Sequence, residues 1–179
     1  NRKKGSLIAI EGIDGSGKTT QAKLLAERFG YEYLYILQSP MGLIRQQVES
    51  LRDFNLRFYY YLACVINSQT VIKEKITAGI NVVLDRYIYS TFAMHKALGV
   101  DTGCVKMHEL PILWPDITIL LTVDRQTRIN RCRYRGEQKH DKHLEQSNEL
   151  LETEQNIYMK YNDLVVIDTS REDIESIFA

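Results

Sequence analysis

The chain has 179 residues, the size of one domain with one sizeable core, and its 44% hydrophobic and 26% charged residues are the balance of a water-soluble globular fold. Its 23 basic and 23 acidic residues cancel, so no overall field recruits nucleic acid or an anionic membrane surface. Apolar runs too short for a bilayer and three cysteines without C-x-x-C spacing lead us to expect a cytoplasmic protein in a reducing compartment, with no membrane or nucleic-acid partner.

The first predicted element is the apolar run Leu7–Ile10 (LIAI), which suits a buried strand and is shorter than the apolar core of a secretory signal. It leads into EGIDGSGKTT, where Gly12, Gly17, Lys18 and Thr19 satisfy G-x-x-x-x-G-K-[ST] in full. Glycines let successive backbone N–H groups turn inward around phosphate oxygens, where a Cβ would obstruct them. The helical stretch behind them, KTTQAKLLAERF, aims its positive N-terminal end at the same phosphates. Lys18 adds a point charge at the β- and γ-phosphates, and the Thr19 hydroxyl suits Mg²⁺. Gly12, Asp14, Gly15, Ser16, Gly17, Lys18, Thr19 and Thr20 are therefore the expected ATP-binding residues.

Further strands are predicted at Tyr33–Leu37, Asn81–Asp85, Ile117–Val123 and Leu164–Asp168. Several are continuously apolar, as strands covered on both faces should be. Helical stretches separate them, among them NSQTVIKEKITAG, which stops on Gly79. Strand and helix alternating in this way predict a parallel α/β sheet with right-handed crossovers, in a single domain over 1–179. Asp85 ends the third strand, where ligands gather in open sheets, with Arg86 directly behind it. The pair suits Mg²⁺ held through water by Asp85 and a phosphate gripped by Arg86.

After the fourth strand, Arg128, Arg131 and Arg135 share one helix face, with Arg133 beside them. Like charges on one face repel unless an anion meets them, and the polar EQKHDKH comes next, so a phosphate-closing lid is expected over 131–145. His140 and His143, near Asp141 and Glu145, imitate a metal site but read as a solvated loop, and no metal site of protein side chains alone is expected. The chain has no N-K-x-D segment of a GTPase and is short for a motor ATPase, so the nucleotide-binding loop points to a small-molecule kinase.

On these residues the sequence resembles the thymidylate kinase family over essentially its whole length. IAIEGIDGSGKTTQAKLLAE, TVIKEKITAGINVVLDRYIYS, PDITILLTVD, RYRGEQKHDKHLEQ and VVIDTS carry the resemblance. It implies a P-loop kinase three-layer α/β sandwich with a five-stranded parallel sheet, ATP with Mg²⁺ as donor, a nucleoside monophosphate such as dTMP as acceptor, and a homodimer. Asp14 matches the acid that faces the acceptor sugar, Arg86 the arginine that reaches the acceptor phosphate, and Asp85 its metal-side neighbour. Gly15 stands where some relatives carry a catalytic arginine. The implied catalytic set is thus Lys18, Asp85 and Arg86, with a lid arginine from Arg131, Arg133 or Arg135.

The acceptor side departs from the family. LQSPMG puts Gln38 and Ser39 in place of an Arg-Glu pair, and Met94 and His95 stand where Tyr-Gln is usual. Aligned back from Gly79 without a gap, Tyr60 falls on the base-stacking aromatic and Cys64 on the arginine that bonds the base. Loss of that charge-assisted bond removes roughly 1.5–3 kcal/mol. Arg45 and Arg57 are candidates to replace the phosphate contact, and Arg57, Tyr60 and Cys64 share a helix face, with Tyr61 and Val65 assigned to the core. The expected acceptor set is Asp14, Gln38, Arg45, Arg57, Tyr60, Cys64, Arg86, Met94 and His95. Two other readings stay open: a nucleoside kinase, which needs a carboxylate base, and a non-catalytic nucleotide-binding relative that has lost its acceptor site.

Overall fold

The computed structural model describes residues 4–37, 40–134 and 147–171. Strands β1 (Leu7–Glu11), β2 (Glu32–Tyr35), β3 (Val82–Asp85), β4 (Ile117–Thr122) and β5 (Val165–Asp168) form one sheet in the order β2-β3-β1-β4-β5. Every pairing is parallel. The described α-helices are α1 (Lys18–Phe29), α2 (Arg45–Ser50), α3 (Phe54–Thr77), α4 (Ile88–Ala97), α5 (Arg125–Tyr134) and α6 (Asn148–Tyr158), with short 3-10 turns at Met41–Ile44, Thr102–Cys104 and Met107–Glu109. The predicted five-stranded parallel α/β sandwich is the observed fold.

The continuous apolar runs resolve into two alternating faces. Leu7 and Ala9 of β1, Val82 and Leu84 of β3 and Leu120 of β4 pack with Phe58 and Leu62 of α3, Phe92 of α4 and Leu151 of α6. Ile10, Val83, Ile119 and Leu121 point the other way, onto Ala22 and Leu25 of α1. Side chains in a strand alternate sides, so only a run apolar at every position can be buried between two helical layers. The edge strands obey this less. Val165 and Val166 of β5 are about half exposed, against the expectation of double cover, because β5 has a strand on one side only and packs less against the helices. β2 stops at Tyr35, and Ile36 and Leu37 turn out of the sheet instead of extending it.

α3 begins where Asp53 caps it, its carboxylate accepting from the Leu56 N–H at 2.9 Å, and ends before Gly79 at φ 85°, the expected stop. From β1 the chain winds to β2 and β3 on one side, then to β4 and β5 on the other. This reversal splays the connections apart at the carboxyl ends of β1 and β3, which opens a crevice there. In register, Ile10 lies beside Asp85.

Glu11 is fully buried at the end of β1. Its Oε1 accepts the N–H groups of Tyr87 at 3.0 Å and Tyr89 at 3.1 Å, and its Oε2 takes the Ser90 hydroxyl. Burial pushes its carboxyl above the usual range, while the Ser90 hydrogen bond and the Arg86 charge pull it back down. Replacing Glu11 by Ala strands two backbone donors in a dry interior. A loss of roughly 3 kcal/mol of stability is expected, read as a lower urea midpoint at unchanged m-value.

Candidate active site

The loop after β1 turns on glycines held at positive φ, a conformation that a side chain rarely adopts. At Gly12 (φ 141°) a Cβ would lie 2.3 Å from the Leu121 carbonyl oxygen, and at Gly15 (φ 87°) one would lie 2.6 Å from the Arg128 Cγ. Gly17 caps α1 with no side chain in the way, so the first N–H groups of α1 face the crevice. Lys18 folds back over the loop. Its ammonium donates to the Ile13 carbonyl at 2.6 Å and lies 3.9 Å from Asp14. Desolvation, then repulsion by Arg86, lower its pKa to about 8, so the cation is held at some cost until an anion meets it.

Asp85 ends β3 and Arg86 follows it directly. The Asp85 Oδ2 accepts from the Thr19 hydroxyl at 2.6 Å and from the Tyr33 hydroxyl at 2.9 Å. Arg86 occupies φ 68°, a left-handed conformation that a side chain rarely adopts. The turn is held by its own N–H on the Ile10 carbonyl at 3.0 Å and by Glu11 bonding Tyr87 and Tyr89. The Arg86 guanidinium pairs with Asp14 and reaches the Gly12 carbonyl at 3.2 Å and the Ser90 hydroxyl at 3.3 Å. Ser90 in turn receives the Tyr158 hydroxyl at 2.8 Å.

These groups open onto a cavity of about 370 Å³, the size of a small-ligand site. Asp14, Lys18, Thr19, Asp85 and Arg86 line one end. The other end is walled by Tyr35, Arg45 and Glu49, by Tyr61 of α3, and by Met94 and His95 of α4. Arg45, Met94 and His95, three of the residues expected on the acceptor side, line this cavity. Gln38 lies outside the described residues, as do Ser39, Arg135 and most of the expected lid over 131–145.

Three predicted acceptor residues are corrected. Tyr60, Cys64 and Arg57 do share a face, but that face is packed and not open to the cavity, with exposures of 6%, 0% and 2%. Tyr60 donates to the Met41 carbonyl at 2.8 Å, which pins the turn at Met41–Ile44. Burial pushes the Cys64 thiol up, as for an inert core cysteine. Arg57 lies over the Phe54 ring, 5.6 Å from its centroid. Tyr61, assigned to the core, instead faces the cavity, and its hydroxyl donates to Glu49 at 2.6 Å. A one-residue step turns a helix by about 100°, enough to exchange the two roles.

The arginines after β4 hold the site together. Arg128 is buried against Gly15 and bonds Asn148. Arg131 donates to the Thr169 carbonyl at 2.6 Å and hydroxyl at 2.9 Å, and reaches the Gly15 carbonyl at 3.4 Å. The Thr169 hydroxyl also lies 3.1 Å from the Ser16 carbonyl oxygen. Arg133 is exposed. Sequence patterns gave no signal for Tyr33, Tyr35, Glu49, Thr169 or Glu154. Glu154 is 2% exposed on α6, and its Oε1 accepts no hydrogen bond among the described residues. Among the described residues, no group of His, Cys, Asp or Glu is arranged to hold a metal ion by itself, and no helix is long and apolar enough to cross a membrane.

Burial raises Glu154 to about 7, against the opposing pull of Arg86. The folded state therefore holds this proton more tightly than the unfolded chain, and stability falls as pH rises from the ordinary glutamate range to about 7. Glu154→Gln removes that slope. Urea titrations are expected to show the variant gaining on the order of 2–3 kcal/mol over the parent at pH 8 and little at pH 4.5. A second pair of variants separates the exchanged tyrosines. Tyr61→Phe is expected to change ligand affinity, whereas Tyr60→Phe costs about 1 kcal/mol of stability and leaves affinity intact.

The profile of the family described as "Thymidylate kinase" matches residues 10–179. A protein of Methanocaldococcus jannaschii named "Probable thymidylate kinase" is 34% identical over 178 residues, covering 95% of this chain and 90% of that one. Among solved structures, thymidylate kinase from Candida albicans superposes with a TM-score of 0.77 at 22% identity, over 97% of this chain and 88% of that one. Deoxyadenosine kinase from M. mycoides has a TM-score of 0.65 at 20% identity, over 96% of this chain and 94% of that one. The two structural likenesses speak to fold.

Proposed function

The chain belongs to the thymidylate kinase family, and on that premise we propose that it transfers the γ-phosphoryl group of ATP to a nucleoside monophosphate, with dTMP the acceptor its relatives' names indicate. One observation carries this reading above all: a single cavity joins the phosphate loop to Arg86 and runs on to a ring-lined end. A donor phosphate and a phosphate-bearing acceptor fit it head to head.

Lys18 and the N–H groups at the start of α1 bind the donor phosphates. Arg86, held rigid by Asp14, Gly12 and Ser90, binds the acceptor phosphate and places its oxygen in line with the γ-phosphorus. That oxygen is already ionised, so the transfer needs no strong general base, and charge stabilisation is the main catalytic demand. A hydroxyl acceptor would instead need a carboxylate base. Asp14 and Asp85, the acids nearest the phosphate end, are engaged by Arg86 and by Thr19 and Tyr33, which favours the monophosphate.

The Thr19 hydroxyl and the Asp85 carboxylate, hard oxygens beside the phosphate loop, fit Mg²⁺ and would hold it directly and through water. When bound, Mg²⁺ neutralises charge on the donor phosphates. Arg131, as placed, ties α5 to Thr169, which leaves Arg133 and Arg135 as the arginines proposed to meet the transferring group. Leu56, Tyr59 and Ile66 form an exposed apolar stripe along α3, which supports the proposal of a homodimer.

ADP release with ATP and Mg²⁺, measured against nucleosides and nucleoside monophosphates, tests this function. Turnover is expected with monophosphates only. Release with free nucleosides overturns the acceptor class, and ATP binding without any release overturns the reading as an enzyme. Arg86→Ala is expected to lower kcat/KM on the order of 10²–10³-fold, with ATP affinity much less affected.

A further inference from the structure

The phosphate end of the site gathers more acids than cations, and one of those acids has no part in the proposed transfer. Lys18 and Arg86 bring two positive charges, whereas Glu11, Asp14, Asp85 and Glu154 bring four carboxyl groups. Nucleotide phosphates add negative charge to a cluster already short of cations. The buried carboxyl group with the fewest partners is the one that gives way, and it does so by taking a proton.

The four acids are held in different ways. Glu11 accepts from the Tyr87 and Tyr89 N–H groups and the Ser90 hydroxyl. Asp85 accepts the Thr19 and Tyr33 hydroxyls, and Asp14 pairs with Arg86 while 42% of its side chain is open to water. Glu154 is the remaining one. It is buried, and its Oε1 accepts no hydrogen bond among the described residues.

Tyr158, one turn further along α6, sends its hydroxyl to Ser90 at 2.8 Å, and Ser90 lies 3.3 Å from the Arg86 guanidinium. This face of α6 therefore lies against the turn after β3. Arg86 and Lys18 act on Glu154 with positive charge, and Asp14 and Glu11 with negative charge. Arg128 of α5 is turned to Asn148 at the start of α6. Burial raises the Glu154 carboxyl to about 7, with Arg86 the strongest opposing influence. Near neutral pH the group is divided between acid and carboxylate, and the carboxylate depends on the field of two cations.

Those cations are the ones proposed to bind phosphate, so the inference rests on that reading. A phosphate at either one cancels the charge that steadies the Glu154 carboxylate and adds an anion to its surroundings. We propose that Glu154 is a proton-linked residue of the phosphate site, taking a proton from solvent as phosphates bind to Lys18 and Arg86. Its carboxylate form opposes the nucleotide and its acid form admits it, so affinity falls as pH rises through neutrality.

Calorimetry of ADP and of dTMP binding to the full chain, at pH 7 in buffers of different ionisation enthalpy, counts the protons taken up. At that pH the ligand phosphates (second pKa about 6) and Lys18 (about 8) are already mostly charged, so they add little. The parent protein is expected to take up about half a proton more than Glu154→Gln. Between pH 6 and pH 8 the ratio of parent to variant affinity is expected to fall about tenfold. A purely structural Glu154 would change affinity by a constant factor and leave the proton count equal in the two proteins, and that result overturns the proposal. So does a parent whose binding enthalpy is the same in every buffer. If neither ADP nor dTMP binds, the phosphate-site reading itself fails, whereas binding without the extra proton overturns the Glu154 assignment alone.

Discussion

The hydrogen bonds to Glu11 are the constraint on which the rest of the site depends. This residue ends the central strand, yet its side chain crosses to the next strand's exit and holds the N–H groups of Tyr87 and Tyr89. Between the end of β3 and Tyr87 the chain must pass through Arg86 at φ 68°. That conformation is unfavourable by itself and persists because two strands of the sheet and a buried carboxylate over-determine it. Through Ser90 the same carboxylate touches Arg86 and, by the Tyr158 hydroxyl, α6. Arg86 is thus set by the core and not by the loop on which it sits.

Around Arg86 the structure keeps charge in a dry place. Lys18 and Arg86 face Asp14, Asp85, Glu11 and Glu154, all buried or partly so. Glu11 is satisfied by three donors, whereas Glu154 is not. Strong interactions at low local dielectric make a site that is costly when empty and responsive when phosphates arrive. A stability–function compromise of this kind is ordinary at catalytic centres, and here it is concentrated on α6, an element with no recognisable motif.

The donor half of the site was legible in the sequence because its chemistry requires local backbone geometry. Gly12, Gly15, Gly17 and Lys18 lie within one turn, and Asp85 and Arg86 are adjacent, so spacing alone reports their arrangement. The five strands were legible for a similar reason, since burial on two faces demands unbroken apolar runs. The acceptor half depends on helix rotation, which spacing reports poorly. Tyr59, Tyr60 and Tyr61 are chemically alike, and nothing in their order says which faces the cavity. Packing decides it: Tyr60 is taken by the Met41 carbonyl, and Tyr61 is left for Glu49. Glu49 and Glu154 read as ordinary polar positions of amphipathic helices until the tertiary structure buries them beside other charges. The edge strand β5 misled in the opposite direction, because its valines suit a strand whether or not a second layer covers them.

Thr169 links residues far apart in the chain, with its hydroxyl 3.1 Å from the Ser16 carbonyl oxygen, 3.0 Å from the Thr122 carbonyl oxygen, and bonded by Arg131. The phosphate loop is made early in synthesis, but its shape is completed by a residue that leaves the ribosome more than 150 positions later. A partly made chain carries the glycine signature without the finished cradle. The finished shape of the loop is thereby a property of the assembled sheet, because it draws on the residue that follows the last strand.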